Sequence, residues 1–331
     1  MVQKRIIADI EECGALWKNF MEVRTVSDLW EFRLCFHRHY RRRPYFLVVE
    51  DRRGICGILP LVYAREEDRY VLFPGETWKG KTWLERTPVY LREGECLEEL
   101  LSLCPERTYL RYLEQGNGDP CPGLEVDETG YLLYPSAFQF DPAVYSRRFA
   151  WKKWKGIRKE ISSLLEAGAA WHVNRVTDFS SLVKMNVGNF GQDSYFFDRR
   201  FVRSFREVVQ LLQERGWLRM VSLEINGVTA AVDLGALYGD TYVLFLGGTH
   251  PDFRGVAKVM NMHHIEFACA RRLSRVDFLC GDFHWKKLWH LDPDPLYRYE
   301  SPDLRWERSH EESIEEPAFT VPLQGVEAVG L

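Results

Sequence analysis

DTYVLFLG, at residues 240–247, occurs a second time as DRYVLFPG at 68–75, with six of the eight positions identical. A Tyr-Val-Leu-Phe run closed by glycine reads as a strand entering a turn. Each copy is preceded by a second shared feature: EDRRG ends in Gly54 and EING in Gly227. The strands are offset by 172 residues and the turns by 173. Agreement of a turn and a strand at nearly one offset points to internal duplication. Helical segments come before both copies, CGALWKNFMEV and VSDLWEFRLCFHRHY in the first half, 178–189 and 198–215 in the second. The expectation is an α/β protein of two tandem domains, each a mixed, mostly antiparallel sheet flanked by helices, with a junction near 140–150.

Outward from the repeat, Asn226-Gly227 marks a tight hairpin within WLRMVSLEINGVTAAVDLGALYGDTYVLFLGG. A helix, AKVMNMHHIEFACARRL, and a strand, RVDFLCG, follow. Before the hairpin, RRFAWKKWKGIRKEISSLLEAG spaces Trp151, Trp154, Ile157, Ile161 and Leu164 at three- and four-residue steps, one apolar stripe of a helix stopped by Gly168. Residues 75–145, rich in Pro and Gly, yield only fragments. The division expected is a degenerate first domain over 1–145, a second over 146–306 carrying the active site, and an acidic, loosely ordered tail over 307–331.

A net charge of −4 gives the whole molecule no bias toward nucleic acid. No run approaches the roughly 18 apolar residues of a membrane span. The first residues carry Asp9, Glu11 and Glu12 where a signal peptide is apolar, so a cytoplasmic protein is expected. Eight scattered cysteines without a C-x-x-C pair favour neither zinc nor a disulfide framework. His263-His264 lack the H-E-x-x-H order, and no metal is expected.

Chemistry concentrates in DFLCGDFHWKKLW (277–289), where an apolar strand breaks at Gly281-Asp282 and sets Lys286 and Lys287 among His284, Trp285 and Trp289. Together with KKWKGIRKEISSLLEAG, EINGVTAAVDLG and GGTHPDFRGVAKVMNMHHIEFACARRL, this order of segments resembles the GNAT acyltransferase superfamily over roughly 147–300. The closer resemblance is to the branch named after a cellulose-biosynthesis acetyltransferase, related to the Fem-type peptidoglycan aminoacyltransferases with two GNAT-like domains. The resemblance implies acetyl-CoA or another acyl-CoA as co-substrate. In the family, an R-G-x-G-x-G/A loop entering a helix holds the pyrophosphate. The matching residues are Arg254, Gly255, Val256, Ala257, Lys258 and Val259, with Ala257 and Val259 departing from the second and third glycines. A helix start suits an anion because its first N–H groups are free and its dipole is positive there.

The resemblance also puts Lys286, after Trp285, beside the acceptor or the developing charge, where an ammonium stabilises an anionic tetrahedral intermediate. A backbone N–H near 243–247 would hold the oxyanion. Asp282 flanks the same strand end, where a carboxylate could orient the lysine or accept a proton from the attacking amine, and is a catalytic candidate. Asp233, a charge inside the apolar run TAAVDLGA, is either a cleft-facing general base or a solvent-facing strand residue. Tyr195, in NFGQDSYFF, joins Trp285 and Tyr242 as candidates for the acceptor surface; that segment reads equally as a polar interhelix loop. Arg148, Lys152, Lys155 and Lys159 line one helix face, either a polyanion contact or a solvated surface. FPGETWKGKTW (73–83) takes the place of the phosphate loop in the first half.

The expected function is transfer of an acyl group from acyl-CoA to an amine, or a hydroxyl, of a small-molecule or cell-envelope precursor acceptor. One alternative keeps the fold and takes the acyl group from aminoacyl-tRNA. Another is a non-catalytic binding protein on a degenerate scaffold. Acceptor, acyl chain and oligomeric state are not legible in the sequence.

Overall fold

The computed structural model describes residues 3–114, 121–281, 284–305 and 307. Of the expected tail over 307–331, all but residue 307 lies outside these described residues, as does Asp282. The first half opens with β1 (Gln3–Ile7), α1 (Ile10–Phe20) and α2 (Trp30–Tyr40). Then come β2 (Pro44–Asp51), β3 (Gly54–Ala64), β4 (Arg69–Leu72), β5 (Tyr90–Leu91), α3 (Leu97–Ser102), β6 (Tyr109–Leu113) and β7 (Leu124–Leu133). After α4 (Pro142–Ser146) and α5 (Trp151–Glu166), the second half repeats the order: β8 (Ala169–Val173), α6 (Phe179–Phe190), α7 (Arg199–Glu214), β9 (Leu218–Ile225), β10 (Val228–Tyr238) and β11 (Thr241–Thr249). It adds α8 (Val256–Ala270), β12 (Arg275–Cys280), α9 (His284–Leu288) and β13 (Asp292–Glu300).

The local signals act as their chemistry dictates. Asn226 and Gly227 both take positive φ, 52° and 77°, which a two-residue hairpin of this kind requires. On α7, Phe201, Phe205, Val208, Val209 and Leu212 form one buried stripe, and Asp198 caps the helix by accepting the N–H of Arg200. That stripe packs with α2 residues Phe32, Phe36 and Tyr40 in one apolar core, so the halves share buried surface. The stripe read on α5 is weaker. Only Ile157 is buried, and Trp151 is 73% exposed.

The repeat is realised in the sheets. β1-β2-β3-β4 and β8-β9-β10-β11 are antiparallel runs in the same order. β11 pairs in parallel with β12, and a single parallel bridge, Tyr70 to Thr108, brings the entry of β6 beside β4. The two final strands are then exchanged. β7, from the first half, pairs with β12; β13, from the second, pairs with β6; and β7 and β13 pair with each other. Thus β6 and β7, although upstream of residue 145, hydrogen-bond within the sheet that contains β8–β13.

Candidate functional site

β11 and β12 pair only from Thr241–Val243 to Arg275–Asp277, and beyond that point they part. β11 bulges opposite β10, where Leu234 faces Leu246 and Gly235 faces Leu244, leaving Phe245 as the extra residue. Asn186 and Asn189 of α6 donate to the carbonyls of Gly247 and Thr249 at 3.3 and 3.1 Å. β12 kinks, with Leu279 at φ +58° and Gly281 at φ +105°. A kinked strand end inside the protein leaves backbone groups without ladder partners, and each needs another.

Charged side chains supply those partners. Asp277 accepts the Leu279 N–H at 2.8 Å, and Glu85 Oε1 accepts the Cys280 N–H at 2.7 Å. Lys286 Nζ donates to the carbonyls of Leu279 and Cys280 at 2.8 and 2.6 Å. The ammonium lies 5.2 Å from the Tyr131 ring centre, and the Lys286 residue is only 2% exposed. Burial pulls its pKa down, opposed chiefly by the charge of Glu85. Burial and the Asp277 carboxylate push Glu85 the other way, up to about 7. Arg86 pairs with Glu114 at 2.7 Å and Asp294 at 2.6 Å, and its Nε lies 3.7 Å from Asp277. Tyr195 donates its hydroxyl to the Thr82 carbonyl at 2.9 Å and is close enough to feel Glu85 and Glu128. Trp285 is half-buried, edge-on to Phe278 at 6.1 Å.

Asp233 sits elsewhere. Its neighbours Val232 and Leu234 point into the α2–α7 core, so by strand alternation Asp233 faces α8. There Asp233 Oδ2 lies 2.8 Å from His264 Nε2, and His264 Nδ1 lies 3.0 Å from the Tyr242 hydroxyl. An imidazole that donates from Nε2 to Asp233 and accepts at Nδ1 from Tyr242 satisfies both contacts. Tyr242 is fully buried, so its polar end serves His264 and does not line an acceptor surface. His263 stacks on Trp171 at 4.1 Å and lies 3.2 Å from Arg219 Nη2. Among the described residues there is no cluster of three or more His, Cys, Asp or Glu placed to hold a metal.

The loop into α8 turns at Gly255, whose φ of +85° favours glycine. Val256 and Val259 are buried against Val221, Leu223 and Ile225, so valine in place of the third glycine points into the core, away from a ligand surface. Arg254 and Ala257 are exposed. Lys258 is held by Glu160 of α5 at 2.5 Å, and the same carboxylate would lie 3.0 Å from a Cβ on Gly255. Backbone and Arg254 suit a phosphate; Glu160 opposes one until it turns away, which its half-exposed position allows.

In the first half, the matching fork between β4 and β6 is filled. Glu76 accepts from Thr82 Oγ1 and from the N–H groups of Trp83 and Leu84 at 2.5, 3.1 and 2.8 Å, folding the 73–83 loop into the gap. A cavity of about 20 Å³ remains, bordered by Glu76, Thr82, Thr87, Tyr109 and Arg111. That is room for about one water. The same loop carries Glu85 to β12. Sequence reading missed Glu85; the available clue, an acid directly after Trp83-Leu84, is the kind that singled out Asp233.

Residues 152–287 match the family model described as an acetyltransferase (GNAT) domain. No curated protein matches the chain. Several solved structures share the fold at low identity. FemX has a TM-score of 0.57 at 10% identity, covering 92% of this chain and 99% of its own. A tandem GNAT protein from the clavulanic acid biosynthesis pathway has a TM-score of 0.51 at 9% identity, covering 90% and 97%. The C-terminal DUF2156 domain of a protein assigned as a lysylphosphatidylglycerol synthetase, from Agrobacterium fabrum, has a TM-score of 0.51 at 10% identity, covering 92% and 95%. The fold is α/β and GNAT-like, and proteins with two such domains in tandem are among its structural neighbours.

Proposed function

We propose that the chain is an acyltransferase that moves an acyl group from acyl-CoA to an amine, or a hydroxyl, of an acceptor. The observation that carries the reading is the fork between β11 and β12 with the Lys286 ammonium held at its β12 side. Arg254 and the backbone of Gly255–Ala257 would hold the donor's phosphates, joined by Lys258 once Glu160 releases it. A main-chain N–H at the Phe245 bulge would face the carbonyl oxygen as it becomes an oxyanion, with Lys286 adding positive charge. Tyr195 and Trp285 would border the acceptor. The domain division proposed is 1–145 and 146–306, with β6 and β7 of the first hydrogen-bonded into the sheet of the second, and with the first fork degenerate because its loop fills it. The neighbouring lysylphosphatidylglycerol synthetase assignment supports a cell-envelope precursor as acceptor, and the chain is proposed to act in the cytoplasm. No helix among the described residues is long and apolar enough to cross a membrane.

Isothermal titration with acetyl-CoA tests the reading. Binding that Gly255→Pro weakens is expected, and absence of binding to the wild type overturns it. Two observations favour a second reading with aminoacyl-tRNA as donor. Glu160 stands at the phosphate loop, and Lys152, Lys155 and Lys159 are exposed on α5. A tRNA gel shift at physiological salt, with no response to acetyl-CoA, would select it.

A further inference from the structure

We infer that Glu85, delivered from the first half of the chain to the β12 strand end, is the group that takes the proton from the attacking acceptor in the second half's reaction. The inference rests on the acyl-transfer reading and moves the general base from Asp233 to the seam between the halves. Its geometry is specific. Oε1 is fixed by the Cys280 N–H, while Oε2 is enclosed and makes no hydrogen bond of ordinary geometry among the described residues, the Cys280 thiol beside the carboxyl being a weak donor. Glu85 as a whole is half-buried; Oε2 is enclosed in the acceptor-free fold, and an acceptor reaches it by displacing what covers it. A buried acceptor without a donor costs about 1–3 kcal/mol, so its retention calls for a function. An N–H of a bound amine, or an O–H of a bound alcohol, would complete it.

The surroundings suit a base. Asp277 and Cys280 face Glu85 from β12, Lys286 from α9, Tyr112 from β6 and Tyr195 from the 195–197 turn, with Arg86 and Glu128 around Cys280. The carboxyl sits near neutrality, at about 7, where a base is most effective. Asp233, by contrast, already shares its Oδ2 with His264. In the step, the acceptor nitrogen bonds to the thioester carbonyl carbon and Glu85 Oε2 takes one N–H proton. The carbon–sulfur bond then breaks, and the thiolate leaves with a proton returned from Glu85. The products are an amide and free thiol, and the carboxylate is restored.

The test compares wild type, Glu85→Gln and Glu85→Asp, measuring acetyl-CoA binding by calorimetry and thiol release from acetyl-CoA across pH. The acceptor probes are 2-aminoethanol, glycinamide and water alone. The wild type is expected to bind and to release thiol with a rate that rises through about pH 7. Glu85→Gln should bind equally but release thiol about 10²-fold or more slowly, without that rise. Glu85→Asp should be intermediate and keep the rise. If Glu85→Gln does not fold, a wild-type rate that is flat through this range overturns the inference. Glu85→Gln that matches the wild type in rate and profile overturns it while leaving acyl transfer standing. A wild type that neither binds acetyl-CoA nor releases thiol removes the reading and the inference together.

Discussion

Glu85 and Lys286, from opposite halves of the chain, hold one residue between them. The carboxylate takes the N–H of Cys280 at 2.7 Å, and the ammonium donates to its carbonyl at 2.6 Å. The kink that opens the fork is thus maintained by the two groups most suited to chemistry there. A variant that deletes either hydrogen-bonding group changes structure and reactivity together, so stability and turnover must be measured on the same protein.

Lys286→Ala illustrates this. It removes the donor of two buried carbonyls, Leu279 and Cys280, at about 1–3 kcal/mol each where no water replaces it. Urea denaturation should show a loss of about 2–5 kcal/mol. If Lys286 also stabilises the oxyanion, thiol release from acetyl-CoA falls about 10²–10³-fold at temperatures where the variant is folded. Undiminished release in the folded variant would leave Lys286 a purely structural clasp.

At the entry to α8, Glu160 and Lys258 form an exposed pair beside Gly255, worth well under 1 kcal/mol of stability. Glu160→Gln should leave the melting temperature within error. It removes a negative charge from the loop and frees Lys258, so acetyl-CoA affinity should rise several-fold, more at low than at high salt. Unchanged affinity by calorimetry would place the donor phosphates away from this loop.

Asp233, His264 and Tyr242 make a buried chain whose members are structural partners of one another. Tyr242→Phe leaves His264 Nδ1 without its donor and should cost about 1–3 kcal/mol, as should Asp233→Ala at Nε2. Both variants should release thiol within about tenfold of the wild type, well short of the 10²–10⁴-fold contribution of a general base. A loss beyond 10²-fold for Asp233→Ala, with the fold intact by circular dichroism, would return the base to the α8 face.

What the sequence discloses follows the range of the forces involved. The duplication, the Asn226-Gly227 hairpin and the helical run over 198–215 rest on local patterns, and the structure realises each of them. The strand exchange does not. β13 carries Pro293 and Pro295, each lacking an N–H, and has no local strand signal, yet it runs between β6 and β7. Its place is set by pairings with residues more than 150 positions away. Lys286 was legible because strand end and lysine are neighbours in the chain. Glu85 was not, since 195 residues separate it from Cys280. Asp233 was recognisable as an anomalous charge, but nothing local discloses that His264 is its partner.

The pH dependence of stability offers a reading of Glu85 that needs no acceptor. In the unfolded chain its carboxyl titrates near 4.5; in the folded protein burial and Asp277 raise it to about 7. The folded state therefore binds this proton more tightly. Its contribution to stability is fully present below about 4.5, declines as pH rises toward about 7, and is gone above it. Glu85→Gln mimics the protonated form at every pH. The melting temperature of the wild type minus that of Glu85→Gln should accordingly fall across this interval and level off beyond it, because other titrating groups cancel in the difference. A difference constant through the interval would mean that Glu85 is charged throughout, held so by Lys286, and already deprotonated before an acceptor arrives.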